Sequence, residues 1–351
     1  MSVITILGAG VMGSSMCMPL VDKGHEVRLL GTHLDDHIID SIAGNGLHPK
    51  LNVTMPAIKH YHHGELARAL NGDTDFILLG VSSAGVAWAI DRLSEVIQSP
   101  TPIIMITKGM KPEADHMRAF PDVVAEELKV RLGFDVPVAA IAGPCIAGEL
   151  AARRHTGTVI VSRDLALAQT FCDAFAGEYY FPRTSTDMIG VEVCAAFKNF
   201  FAIAVGWAHG RNEVLAESQN KARNNNAAAI LFDQAVREML ALTSALGGSP
   251  ESVWGMPGVG DLYVTCQAGR NSRLGNALGR GFTYDQAKAG PLKNETVEGA
   301  ELGIAVASSI RGMIRANKLK AADVPLTLAL LNALTRNIPL EPPWADLHRS
   351  G

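Results

Sequence analysis

The sequence predicts an α/β chain in which a mostly parallel sheet with crossing helices occupies the first half and an all-helical region the second. Three observations carry this. Short apolar runs with little polar alternation recur between helix-spaced segments, as strands buried on both faces do. A glycine-rich turn joins the first run to a helix, and runs of strand character stop near residue 187. At 351 residues the chain is too long for one compact core. Two domains are expected, residues 1–187 and 188–351, divided in the Thr/Ser/Asp-rich stretch 183–188.

In order, strands are predicted at Val3–Leu7, Glu26–Leu30, Asp75–Val81, Pro102–Ile106 and Val138–Ile141, then at Thr156–Val161 and Tyr179–Pro182. Helical spacing over Ala84–Ile97 and Phe120–Leu132 makes this a repeated βαβ pattern. Pro19 falls inside the first helix, where it removes a hydrogen bond and predicts a kink. The second half reads as helices over Val191–Val205, Ala227–Leu246, Asn271–Leu278, Glu298–Ala316 and Leu326–Thr335, with Arg211–Asn226 an exposed polar loop.

Hydrophobic residues make up 48% and charged residues 19% of the chain, which excludes wholesale disorder. Lys and Arg number 31 against 35 Asp and Glu, a net charge of −4, so no footprint for nucleic acid or an anionic membrane is expected. An anionic ligand must be met by a few placed cations. The N-terminus runs directly into a strand, so no signal peptide is expected. The apolar stretch Phe200–Ala208 is too short to span a bilayer. Cys17, Cys145, Cys172, Cys194 and Cys266 are scattered, which fits free thiols in a reducing cytoplasm and shows no metal-ligand spacing.

The turn after the first strand is Gly8-Ala9-Gly10-Val11-Met12-Gly13. Gly8 permits the tight turn, Gly10 the close approach of backbone to a pyrophosphate, and Gly13 the packing of helix on strand, which is the Rossmann dinucleotide-binding pattern. The bland alternative is a close-packed glycine turn without ligand. An NAD-selective site usually has an acid at the end of the second strand. Here the strand ends Leu29-Leu30-Gly31-Thr32-His33, with no carboxylate until Asp35. Thr32 and His33 either donate to a 2′-phosphate or merely form a turn, so the cofactor is NAD or NADP, with NADP modestly favoured.

Three segments interrupt apolar runs with polar or glycine residues: Thr107-Lys108-Gly109, Ala142-Gly143-Pro144-Cys145, and Phe197-Lys198-Asn199-Phe200. The first two follow strands, where open α/β sheets form their ligand crevice. Lys198 lies in a helix too apolar for a solvated charge. Burial would lower its pKa toward proton exchange near neutrality, whereas snorkelling would leave it a surface cation. Glycines before Asp261, in Gly258-Val259-Gly260-Asp261, let that carboxylate approach a ligand or Lys198. Arg270 and Asn271 open a helical pattern, either as a phosphate clamp or as a surface loop with a capping Asn.

These segments together resemble the soluble NAD(P)-dependent glycerol-3-phosphate dehydrogenases over nearly the whole chain: the glycine loop, Thr107–Gly109, Gly143-Pro144, Lys198-Asn199, the run Gly260–Asn271 and Val297–Gly299. The resemblance implies a Rossmann domain, a helical catalytic domain, and interconversion of sn-glycerol 3-phosphate and dihydroxyacetone phosphate without a metal. It makes Lys198 the acid/base, with Lys108 between cofactor and substrate and Asp261 orienting the lysine or a substrate hydroxyl. Asn199, Thr265, Arg270 and Asn271 would hold the substrate, and Gly143 and Cys145 would line its site. Val11, Met12, Ser82, Ala147, Arg270 and Glu298 would touch the cofactor beside the glycine loop, Thr32, His33 and Lys108. A homodimer in the cytoplasm is expected.

Four departures from the family pattern stand out. Cys145 replaces the usual Ser or Thr, Asp233-Gln234-Ala235 replaces a Thr-Arg-Gly triplet, Val81-Ser82-Ser83 replaces Val-Pro-Ser, and the loop 211–226 is longer. They leave room for a longer polyol or ketose phosphate as substrate. A ketopantoate-reductase-like or β-hydroxyacid dehydrogenase is the other enzyme reading, and a nucleotide-sensing regulator without catalysis the non-enzyme one.

Overall fold

The computed structural model describes residues 1–216, 218, 221–267 and 269–347. It divides into two compact units, Met1–Lys108 with Phe120–Met188, and Gly109–Ala119 with Ile189–Gly351. The hairpin strands Met110–Pro112 and Met117–Ala119 thus group with the second unit, unlike the unbroken division expected from sequence. Met110 and Met117 explain this: both are buried in the helical core of that unit.

The first unit carries an eight-stranded sheet. Its strands are β1 (Val3–Leu7), β2 (Glu26–Leu30), β3 (Lys59–Tyr61), β4 (Phe76–Leu79), β5 (Ile103–Met105), β6 (Val138–Ala142), β7 (Thr156–Ser162) and β8 (Tyr180–Ser185). Across the sheet they run β3-β2-β1-β4-β5-β6-β7-β8. All pairs are parallel except β6 with β7. The sequence reading misses β3, whose Lys-His-Tyr composition lacks the apolar character of a buried strand because it is the edge. Strand order reverses between β1 and β4, so the turns after these two strands flank the switch point where open α/β sheets place ligands.

The helix after β1 is broken into α1 (Val11–Ser15) and α2 (Cys17–Asp22). The break at Met16 lies just before Pro19, whose ring lacks the N–H that would close the turn onto the Ser15 carbonyl. The other helices of this unit used below are α3 (Asp36–Asn45), α4 (Val86–Ser94) and α5 (Ala147–Ala151).

The second unit is built on α6 (Met188–Val214), a helix of 27 residues. It is long and apolar enough to cross a membrane, where the sequence reading saw only the stretch Phe200–Ala208. However, 89% of its most apolar window is buried within the protein, as in the core helix of a helical domain. Around it lie α7 (Asn225–Ala245), α8 (Asp261–Gln267), α9 (Arg270–Gly279), α10 (Glu298–Arg315) and α11 (Pro325–Arg336). The predicted loop 211–226 is shortened from both ends, to Val214 by α6 and to Asn225 by α7. Its positions 217, 219 and 220 lie outside the described residues.

Gln234, one of the departures from the family pattern, has a packing role. It is buried on α7 and its amide donates to Glu238 Oε1 at 2.8 Å. The Glu238 carboxylate also accepts from Leu326 N, Thr327 N and Thr327 Oγ1, each at 2.6 Å, and so caps the start of α11. Burial pushes the Glu238 carboxyl up from 4.5 to about 7, overcoming the donors that pull it down. The folded value lies above the unfolded one, so this group's contribution to stability is full below about pH 4.5 and is lost as pH rises through 7. We expect the stability margin of the wild type over Glu238→Gln to shrink by roughly 3 kcal/mol between pH 4.5 and 8. Urea titrations at both pH values measure it, and a margin independent of pH would refute the burial argument.

Candidate active site

In the first unit, the glycine loop sits at the end of β1. Gly8 has φ +117° and a Cβ there would lie 2.7 Å from the Gly80 carbonyl oxygen. At Gly13 a Cβ would lie 2.1 Å from the Gly8 oxygen, whereas at Gly10 it would meet nothing within 4 Å. The loop is therefore closed by its own chain at Gly8 and Gly13 and open at Gly10. A bare Cα facing open space there fits the close approach of a dinucleotide pyrophosphate. Val11 is exposed, and Ala147 opens α5, which packs beside α1.

Met12, Lys108, Gly143 and Cys145, chosen from three separate stretches of sequence, line one small cavity of about 20 Å³. Gly143 has φ +121°, and a Cβ would press on the Thr158 backbone at 3.1 Å, so the bend after β6 requires glycine. Thr107 donates to the Val81 carbonyl at 2.7 Å, tying the Lys108 loop to the turn after β4 that carries Ser82.

Thr32 behaves differently from expectation. Its hydroxyl donates to Asp35 Oδ2 at 2.8 Å, so the proton offered to a 2′-phosphate in the sequence reading is already engaged. His33 is exposed and stands edge-on to Trp88 of α4, with ring centroids 5.5 Å apart.

In the second unit, Lys198 and Asp261 are brought together. Lys198 Nζ donates to Asp261 Oδ1, and the two residues are 6% and 1% exposed. The lysine is thus buried and ion-paired, and does not snorkel. Asp261 opens α8 directly after a π-helical turn, Met256–Gly260, in which a Cβ on Gly258 would lie 2.0 Å from the Val253 oxygen. Gly258 therefore acts through close packing of that turn. One turn along α8, burial pushes the Cys266 thiol up to about 12 against the opposing charge of Lys198, which keeps it protonated and unreactive.

A hydrogen-bond chain sets the neighbouring amides. Gly299 N donates to Asn271 Oδ1 at 2.9 Å, so the Asn271 NH₂ group points the other way, donating to Asn199 Oδ1 at 3.1 Å. Asn199 in turn has its oxygen toward Asn271 and its NH₂ turned away, presenting a donor. A side chain on Gly299 would block this, since its Cβ would lie 2.3 Å from the Asn199 carbonyl oxygen. Thr265 donates to the Asp261 carbonyl at 2.7 Å, which leaves its oxygen to act as an acceptor. Arg270 pairs with Glu298, both about half exposed.

The helices bearing these groups touch backbone to backbone. Cβ atoms on Gly206 and Gly210 of α6 would lie 2.3 and 1.9 Å from the Ser272 and Asn276 oxygens of α9. Those on Gly275 and Gly279 of α9 would lie 2.0 and 2.1 Å from the Ile203 and Trp207 oxygens of α6. The sequence reading missed this seam, although the paired four-residue glycine spacings at 206/210 and 275/279 are its signal. It also missed two side chains that meet the Ala9 backbone from a distance in sequence, His48 Nε2 at 3.1 Å from its carbonyl oxygen and Asp35 Oδ2 accepting from its N–H at 3.2 Å. Among the described residues, no group of three His, Cys, Asp or Glu side chains is placed to hold a metal ion.

Residues 3–168 match the family model for the NAD-dependent glycerol-3-phosphate dehydrogenase N-terminus, and residues 187–343 that for its C-terminus. An NADP(+)-dependent glycerol-3-phosphate dehydrogenase of Archaeoglobus fulgidus is 35% identical over 288 residues, 81% of this chain and 82% of the relative. A glycerol-3-phosphate dehydrogenase (NAD(P)+) of Bacillus pumilus is 30% identical over 339 residues, 95% of this chain and 90% of the relative. The crystal structure of glycerol-3-phosphate dehydrogenase from Coxiella burnetii superposes with a TM-score of 0.79 at 28% identity, covering 99% of this chain and 98% of that one. The chain belongs to the NAD-dependent glycerol-3-phosphate dehydrogenase family.

Proposed function

We propose that the protein is an oxidoreductase that interconverts sn-glycerol 3-phosphate and dihydroxyacetone phosphate with NAD or NADP. The buried Lys198–Asp261 pair, in a chain of this family, carries the reading. The bound dinucleotide supplies hydride chemistry at C4 of its nicotinamide. In the first unit the glycine loop with Val11, Met12, Ser82, Lys108 and Ala147 would hold it; in the second, Arg270 and Glu298 are the candidates for cofactor contact. His33 is the remaining candidate for the adenosine end.

Lys198 holds a proton at Nζ and delivers it to the ketone oxygen as that oxygen becomes an alkoxide; in the reverse direction Nζ takes the hydroxyl proton. Asp261, accepting from Nζ, fixes the lysine's direction. Asn199 offers its NH₂ group and Thr265 its oxygen lone pairs to the substrate, while Arg270 and Asn271 hold the phosphate. The Arg270–Glu298 pair, half exposed, contributes at most about 1 kcal/mol. A phosphate dianion can therefore take over the guanidinium at little cost. Arg270→Ala is expected to raise KM for dihydroxyacetone phosphate by roughly 10–100-fold with a smaller change in kcat. An unchanged KM removes the phosphate assignment.

The hydrogen bond from Gln234 to Glu238 withdraws one argument for a longer substrate and leaves Cys145, the Val81–Ser83 turn and the loop 211–226. Steady-state assays with C3 to C6 ketose phosphates and ketopantoate, each with NADH and NADPH, test the reading; turnover of ketopantoate alone would sink it. A cytoplasmic homodimer completes the proposal. Light scattering on the purified protein measures the oligomeric state.

A further inference from the structure

The residue between the first two glycines of the loop, Ala9, is held at both ends of its backbone by side chains distant in sequence. Its N–H donates to Asp35 Oδ2 at 3.2 Å. Its carbonyl accepts from His48 Nε2 at 3.1 Å and from Ser14 Oγ at 3.1 Å. His48 is fully buried, and its Nδ1 accepts from Leu51 N at 3.1 Å, which puts the ring proton on Nε2 and makes that atom the donor to Ala9. Asp35 is 9% exposed, and the same oxygen also accepts from Thr32 N at 2.9 Å and Thr32 Oγ1 at 2.8 Å.

We infer that Asp35 and His48 form a clamp on Ala9 that holds the glycine loop in its dinucleotide-accepting shape, and that the inward commitment of Asp35 lets the site take NADP as well as NAD. Asp35 is the first carboxylate after β2, the region from which an acid normally reaches the ribose hydroxyls. Here three donors converge on its Oδ2 from inside the protein, so that oxygen fixes loop geometry and is not offered to the ribose hydroxyls. Asp35 and His48 are positioning residues: they act through Ala9 and favour neither dinucleotide. The inference rests on the proposed NAD(P)-dependent function.

The test is direct binding of NADH and NADPH, followed by dinucleotide fluorescence, to the full chain and to Asp35→Ala, Asp35→Asn and His48→Leu. An asparagine can put its carbonyl oxygen where Oδ2 lies and keep all three bonds, whereas alanine keeps none. Asp35→Ala and His48→Leu are expected to weaken both dinucleotides by about tenfold, in equal measure, with KM for the dinucleotide rising more than kcat falls. Asp35→Asn should bind both within about twofold of the wild type, on the same grounds. A rise in the NADPH-to-NADH affinity ratio in Asp35→Asn would mean that the carboxylate faces the ribose, and would overturn the inference. Undiminished binding in both Asp35→Ala and His48→Leu would overturn it equally. If one of these variants does not fold, the other together with Asp35→Asn still decides. A wild-type protein that binds neither dinucleotide would instead refute the proposed function.

Discussion

Lys198→Ala is expected to lower kcat for dihydroxyacetone phosphate reduction by roughly 10²–10⁴-fold, the range for loss of a positioned general acid. It should also destabilise the protein, because Asp261, 1% exposed, loses Lys198 as its ion-pair partner. Breaking a buried pair by removing one partner costs about 3–5 kcal/mol. The two effects separate with further variants. Lys198→Arg retains a cation against Asp261 but holds its proton too tightly to exchange, so stability should largely return while turnover does not. In Lys198→Met combined with Asp261→Leu the charge is gone from both sides, and stability should again recover without activity. Thermal melts and stopped-flow reduction assays on the three proteins measure this. An active Lys198→Arg or double variant would show that the lysine is structural.

Gly275→Ala is expected to destabilise the helical unit strongly although it adds a single methyl group. A helical glycine replaced by alanine ordinarily gains about 1 kcal/mol from helix propensity. At Gly275, however, the added Cβ would lie 2.0 Å from the Ile203 carbonyl oxygen and 2.9 Å from the Gly206 Cα. Both are backbone atoms, so no rotamer change relieves the contact and α6 and α9 must separate. Overpacking of this kind costs about 3 kcal/mol or more, which outweighs the propensity gain. Since α9 begins with Arg270 and Asn271, KM for the phosphorylated substrate should rise as well. Gly44→Ala is the control. That glycine lies in α3 with nothing within 4 Å of a Cβ, and its replacement should stabilise the protein by roughly 0.5–1 kcal/mol. Denaturant melts of both variants check the pair; a neutral Gly275→Ala would mean that the helices are not in backbone contact.

Much of the site was legible in the sequence because its chemistry is local. The glycine loop, Lys198 in an apolar helix and Asp261 behind two glycines each announce an unusual residue against a regular background. The sheet strands were legible for the same reason, being continuous apolar runs, whereas the edge strand Lys59–Tyr61 and the hairpin 110–119 were not, since their composition is polar or mixed.

The composition and order of residues alone determined the α/β architecture, the family resemblance and the need for a few placed cations in a chain of net charge −4. Only the tertiary structure decided which atoms meet. It turned Asp35 inward to accept from Ala9 and from Thr32, gave Gln234 to Glu238, oriented Asn199 through Asn271 and Gly299, and set α9 against α6 through four glycines. The contacts of Ala9 with Asp35, of Asn271 with Asn199 and Gly299, and of α6 with α9 join residues dozens of positions apart, and their geometry depends on tenths of an ångström. Periodicity and composition describe near neighbours, so they identify which residues have a task and leave its direction to the fold.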